Sequence, residues 1–419
     1  MTASPFSRPE RGAGPGGGGF GALAALWNLL AGTVVLGAHP VSWWYRLRGN
    51  HGRARDLAER LASPGALAGL PRGGAWLHGA SVGEVRALVP LARALAALRP
   101  DLPQVVTSTT TAGRDRAAAE SGAVARLAPL DAVGPVARFV DHLAPRLHAI
   151  VETEIWPARL ACLARRGVPT ALLSARLSPE REPRYRRFAS LYGPCLRSFA
   201  LVAPASPEDR ERLLRLGASP EQMGSEGNLK WDAAPSSPTA SDAEVVRQEL
   251  GADPHLTWFV LGSVHPGEAF PLLEAALRTT VGADVGWLIA PRHPERFSEE
   301  LDRLDALPGG CWRASRGPAA AGTTRIVLDR IGLLPRVYPL ARGALLGGSF
   351  VPVGGHTPLE AAAAGCPLVA GPHTGHQSDL VGPLVERGGI VVRDTIAEAA
   401  EVLAGWAADE DAARVAGTA

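Results

Sequence analysis

Several short segments gather side chains able to move protons or hold anions. Glu84 closes the run Gly79-Ala80-Ser81-Val82-Gly83-Glu84. Small residues there let backbone approach a ligand, and the start of a helix offers free N–H groups to an anion. A glutamate so placed complements the helix macrodipole, worth ~0.3–1 kcal/mol, or serves a ligand bound at that helix start. The hydroxyl run Thr107 to Thr111, with Thr109 at its centre, caps a helix or holds a polar ligand. Glu152 and Glu154 stand beside Trp156, a pairing that suits a sugar hydroxyl or a general base. Capping of the next helix is the plainer role for Glu154. Arg176 follows in the segment 174–178, and then the basic run Arg181, Arg184, Arg186, Arg187. Such a run is a solvated face or, beside a membrane, a contact for lipid phosphates. Lys230 is the only lysine in the chain. It marks either an arginine-biased composition or a geometry that the planar arginine fork cannot supply.

The second half repeats the theme. Gly262 and Ser263 open a turn of small residues; Arg292 and His293 form a plausible phosphate clamp or a structural ion pair. Gly347, Gly348 and Ser349, then Gly354, Gly355 and His356, bring backbone N–H groups toward a ligand, with Glu360 one turn into the following helix, within reach of a ribose diol. This is neither a dinucleotide fingerprint nor a Walker loop, and no HExxH or zinc-type spacing occurs, so neither a metal nor a cofactor is expected.

These residues need elements to hold them. Short apolar runs alternate with helical patterns, which predicts parallel sheets with crossover helices. Expected strands are 75–78, 104–108, 147–151, 170–173 and 201–203, then 258–261, 287–290, 325–328, 344–346, 368–369 and 390–392. Helical patterns cover 82–98, 157–166, 266–278, 331–341, 358–364 and 396–406. The candidate residues mostly follow strands, where doubly wound sheets bind ligands. The expected architecture is α/β: two doubly wound parallel-sheet domains facing a cleft, 46–231 and 243–419, joined by a linker at 232–242. Residues 1–19, rich in Gly, Pro and Ser, read as a disordered leader. From Phe20 to Trp44 there is no Asp, Glu, Lys or Arg. As a helix, 20–38 would rise ~28 Å, about one hydrocarbon core. Trp43, Trp44 and Tyr45 precede Arg46, Arg48, Arg53 and Arg55, so 20–45 reads as a membrane anchor, spanning or half-embedded, with the arginines on the cytoplasmic side; a buried amphipathic helix is the alternative. Net charge is +2, which excludes the basic field of a nucleic-acid binder. The 4 cysteines are scattered, which fits a reducing compartment rather than a disulfide framework.

Taken in order, HGASVGE (78–84), ETEIWP (152–157), SARLS (174–178), GNLKWD (227–232), APRHPERF (290–297), GGSFVPVGGHTPLE (347–360) and GPHTG (371–375) resemble the 3-deoxy-D-manno-octulosonic acid (Kdo) transferases of lipopolysaccharide synthesis. The resemblance implies the GT-B architecture, an amino-terminal anchor in a bacterial inner membrane, and catalytic domains on its cytoplasmic face. It also implies inverting transfer of Kdo from CMP-Kdo to a lipid A precursor (lipid IVA), with Glu84 as general base. The donor would be held by Gly262, Ser263, Arg292, His293, Gly332, Gly347, Gly348, Ser349, Gly354, Gly355, His356 and Glu360. The acceptor, or an acidic group of either substrate, would meet Ser81, Thr109, Glu152, Glu154, Arg176 and Lys230. A GT-B transferase using a UDP-sugar on another lipid, and a non-catalytic sugar-nucleotide-binding protein, are the alternatives.

Overall fold

The computed structural model describes residues 18–234, 239–278 and 284–418. The chain divides into two compact units, Met1–Ala233 and Ala234–Ala419. The expected leader lies outside the described residues apart from Gly18 and Gly19. These begin the first helix, Gly18–Leu47, two residues earlier than the expected anchor and ending two later.

In the first unit the strands are β1 (Ala75–His78), β2 (Gln104–Ser108), β3 (Val124–Leu127), β4 (Leu147–Val151), β5 (Thr170–Ala175) and β6 (Leu201–Pro204). They form one parallel sheet in the order β3-β2-β1-β4-β5-β6. β1, β2 and most of β4 are buried on both faces, as parallel strands between helix layers must be. Trp76, Phe139 and Leu163 pack on one side, Leu77, Val85 and Leu88 on the other. The order reverses between β1 and β4, which sets their carboxyl ends side by side at a topological switch point.

The second unit adds β7 (Thr257–Val264), β8 (Val285–Pro291), β9 (Trp312–Arg313), β10 (Arg325–Val327), β11 (Ala341–Leu346), β12 (Leu368–Ala370) and β13 (Ile390–Val392). Their order is β13-β12-β11-β7-β8-β10-β9, again all parallel. Here the switch lies between β7 and β11, and the glycine-rich turns follow those two strands.

The structure differs from the sequence-based expectation at several places. Thr239 and Asp242 form a capping box that starts a helix at Ala240, so 240–242 are helical rather than linker; 235–238 lie outside the described residues. The helix expected over 331–341 is reduced to Leu334–Val337 and a 3-10 turn at Tyr338–Leu340, because Pro335 and Pro339 each withhold a backbone donor.

Candidate active site

At the β1–β4 switch, the strand turns into helix Val82–Leu98 through a tight corner. A Cβ on Gly79 would sit 3.0 Å from the backbone of both Glu84 and Val85, so any larger residue would push the corner apart by a few tenths of an ångström. Ser81 is the N-cap, its Oγ accepting from the Glu84 N–H at 3.3 Å. The Glu84 carboxylate folds back on the same corner. Its Oε2 accepts from the Ala80 N–H at 2.6 Å, and its Oε1 accepts from Ser81 Oγ at 2.9 Å. Burial, then the charges of Glu152 and Glu154, push Glu84 up to about 7, outweighing those two hydrogen bonds. A carboxyl with this value exchanges protons freely at neutral pH, as a general base must. Thr109 donates its N–H to Ala80 O at 3.0 Å and so braces the corner from β2.

β4 delivers Glu152 and Glu154. Glu152 has φ +61, a left-handed conformation that is costly for a side chain with a Cβ, and Ser174 on β5 has φ +50. Lys230 Nζ lies 2.8 Å from Glu152 Oε1. Glu154 accepts from Trp156 Nε1 at 2.7 Å, and burial raises its carboxyl above the ordinary range. The Lys230 segment is pinned where Ser174 Oγ accepts from Leu229 N–H at 2.8 Å. Half-buried Arg176 joins through its backbone, its N–H donating to Thr153 Oγ1 at 3.0 Å. The structure therefore links Ser81, Glu84, Glu152, Glu154 and Lys230 into one electrostatic group, with Thr109 and Arg176 as its backbone supports.

A layer missed from the sequence lies in the core of this unit. His78, His148 and Arg159 are buried, and His78 Nε2, His148 Nε2 and Arg159 Nε and Nη1 have no hydrogen-bond partner. Arg159 stands over the Trp76 ring at 5.1 Å. Burial and the Arg159 charge hold both imidazoles far below their usual value, so they are neutral. Only His78, the first residue of HGASVGE, hints at this layer; Arg159 and His148 sit in patterns that read as ordinary helix and strand.

At the β7–β11 switch, Ser263 takes φ +56 at an irregularity in the β7–β8 register. A Cβ on Gly347 would fall 2.4 Å from Ser263 O, which is why the β11 turn starts with glycine. His265 Nε2 and His356 Nε2 are 2.9 Å apart with rings nearly parallel, so one nitrogen donates and the other accepts. His293 approaches edge-on, 6.1 Å between ring centroids. Burial, then His265, Arg292 and His293, lower His356 to about 4; burial, His293 and Arg292 lower His265 as well. Exposed Arg292 and half-buried His293 follow β8, with His293 Nδ1 3.3 Å from Glu295. The arrangement is a cluster of nitrogen donors with excess positive character, open to an anion.

The backbone of the glycine turns makes contacts of its own. The glycine-turn N–H groups are engaged internally rather than free for a phosphate. Buried Glu268 accepts from the N–H groups of His265 at 2.9 Å, Gly348 at 2.8 Å and Phe350 at 3.0 Å, and its charge is also met by the Ser349 N–H. Gly347 N–H donates to Gly262 O, Gly355 N–H to Gly348 O and His356 N–H to Gly347 O. A carboxylate supplied by the chain itself thus meets three of these donors, and backbone carbonyls meet the others. Gly262, Gly347, Gly348, Ser349 and Gly355 therefore shape the turn, and Gly354 (φ +100) gives it its bend. Gly332 stands apart in an exposed turn after β10 (φ +89), beside fully exposed Ile331. Glu360 is half-buried at the start of helix Leu359–Ala363; burial, then the Glu360 charge, raise the Tyr338 phenol well above its usual value.

A family sequence model described as 3-Deoxy-D-manno-octulosonic-acid transferase (kdotransferase) matches residues 55–233. The 3-deoxy-D-manno-octulosonic acid transferase of Haemophilus influenzae is 31% identical over 350 residues, 82% of this chain and 81% of that protein. That of Bordetella pertussis is 35% identical over 361 residues, 82% of each. Among solved structures, a glycosyltransferase from Rickettsia africae superposes with TM-score 0.55 at 11% identity, covering 83% of this chain and 91% of that one. The UDP-GlcNAc 2-epimerase of Methanocaldococcus jannaschii gives 0.54 at 13% identity, covering 79% and 91%. Those likenesses show the fold, which is GT-B. The sequence identities show more: the chain belongs to the 3-deoxy-D-manno-octulosonic-acid transferase family.

Proposed function

We propose that this protein is an inverting glycosyltransferase that moves Kdo from CMP-Kdo to a lipid A precursor at the cytoplasmic face of a bacterial inner membrane. The observation that carries the reading is Glu84, a buried carboxyl raised to about 7 and held at the β1–β4 switch point of a Kdo transferase family member. In the reaction, the acceptor hydroxyl attacks the anomeric carbon of Kdo. As that C–O bond forms, the bond to the phosphate oxygen breaks, CMP leaves with the electron pair, and the hydroxyl proton passes to Glu84. Lys230 and Arg176 supply positive charge for acidic groups of the substrates. Arg292, His293 and the His265–His356 pair bind the phosphate and Kdo carboxylate. They also stabilise the charge that grows on CMP, the type of electrostatic contribution that often dominates catalysis.

The test is Glu84→Gln, which keeps the size of the side chain and an oxygen to accept from Ala80. The variant folds, binds CMP with wild-type affinity, and transfers Kdo ~10²–10⁴-fold more slowly. Wild-type transfer rises with pH through an apparent value near 7. Near-normal turnover by the variant would remove Glu84 from the mechanism, and displacement of CMP by equimolar UDP would remove the donor assignment.

A further inference from the structure

The helix Gly18–Leu47 contains a stretch, Ala25–Leu47, long and apolar enough to cross a membrane. Its burial is nevertheless one-sided throughout Ala25–Leu47. Asn28, Ala31, Val35, Ala38, Ser42 and Tyr45 are partly or fully covered, and they recur every three or four residues, the stripe of a helix packed on a surface. The remaining faces present Leu29 (66% exposed), Leu36 (72%), Val34, Trp43 and Trp44. The covered stripe rests on the first unit, against helices Pro157–Arg165 and Ala189–Arg197, and at its end against His51–Arg60. Near its start, Trp27 Nε1 donates to Asp131 Oδ2 at 2.8 Å. That same carboxylate accepts from the N–H groups of Ala158 and Arg159, so it caps the helix that follows the Glu152–Glu154 loop.

From Trp27 to Tyr45 the helix rises ~27 Å, nearly a full hydrocarbon core. A helix crossing the bilayer over that length would carry its packing partners with it. Asp131, bonded to Trp27, would then enter hydrocarbon with the helices packed on the covered stripe, which is strongly unfavourable. Lying flat removes the conflict: the exposed Leu, Val and Trp side chains enter one leaflet while the covered stripe stays on the protein. At the carboxyl end, Arg48 lies 4.8 Å from the Trp44 ring and Arg53 5.6 Å from the Tyr45 ring, a cationic and aromatic cluster suited to headgroup phosphates. We infer that helix Gly18–Leu47 is an in-plane element seated in a single leaflet, with its amino terminus on the same side of the membrane as the catalytic units. This rests on the membrane reading above and decides the topology that the sequence leaves open.

The experiment uses the full chain carrying a protease-cleavable epitope tag before Met1, expressed in a bacterium. In right-side-out spheroplasts the tag resists added protease; in inside-out vesicles it is cleaved, and the chain stays with the membrane after an alkaline wash. Cleavage in intact spheroplasts would overturn the in-plane arrangement while leaving membrane attachment standing. Recovery of the chain in the alkaline supernatant, alone or as a dimer burying this face, would remove membrane attachment and the inference with it.

Discussion

Glu84 binds its proton more tightly in the folded chain than an ordinary glutamate, because burial and two neighbouring carboxylates disfavour its charged form. With the folded value raised from 4.5 to about 7, the associated stability is fully present below 4.5 and is lost as pH rises to about 7. Above neutrality the wild type therefore carries a penalty that Glu84→Gln lacks. The variant should be more stable by about 2–3 kcal/mol at pH 8 and nearly unchanged at pH 4. Chemical denaturation at the two pH values checks this; an equal difference at both would mean that the charge of Glu84 is not what strains the site. Lys230 acts on the same balance. Its ammonium opposes Glu152, the first of the two charges raising Glu84. In Lys230→Met the rising limb of the rate–pH profile should move up by about one unit. Lys230→Arg, which keeps the charge but not the compact shape, should leave the limb in place and lower the plateau. A limb that stays put in Lys230→Met would uncouple this pair from the base.

At the scale of elements, most strands were legible because parallel strands buried on both faces read as short apolar runs. β1, β2, β4 and β13 begin and end where the sequence predicts. β3 was missed because its four residues, Val-Ala-Arg-Leu, alternate burial at the sheet edge, and β9 is only two residues long. The helix expected from Pro266 begins at Ala269, since Gly267 turns with φ +93 and Glu268 points inward. That inward turn also bears on the glycine turns. The glycines after β11 read as open donors, yet Gly348 donates to a carboxylate 80 positions earlier in the chain, and Gly347 and Gly355 donate to backbone carbonyls. Spacing and residue type cannot reveal a competition decided by three-dimensional reach, whereas the strand-end positions of Glu84, Arg292 and His356 could be read directly. Glu268→Gln tests this account. An amide retains one acceptor oxygen and places an NH₂ group against N–H donors, so it should destabilise the second unit by about 1–3 kcal/mol. CMP should bind more weakly because the β7 and β11 turns separate. Unchanged thermal stability and CMP affinity would show that the turns hold their shape without it.

On the scale of the whole molecule, each unit has its own core and its own switch point, and the chemistry is divided between them. In the proposed reaction the first unit supplies the proton acceptor, Glu84, and the second supplies the nitrogen cluster for the donor's anionic groups. Losses at the two sites should therefore appear in different measurements. In His356→Ala, the paired nitrogen of His265 loses its partner, and CMP affinity should fall ~10-fold or more, consistent with loss of a hydrogen bond to a charged group. At saturating donor, the limb of transfer near pH 7 should stay where Glu84 puts it. Without an anion, burial and neighbouring positive groups hold His356 at about 4, and a bound phosphate reverses that balance. CMP binding should thus take up a proton between pH 5 and 7, and affinity should rise as pH falls. Calorimetry in buffers of different ionisation enthalpy measures that uptake directly. Glu84→Gln should retain it in full and His356→Ala should lose most of it. Uptake that vanished in Glu84→Gln instead would place the titrating group in the first unit, and the division of labour between the two switch points would have to be redrawn.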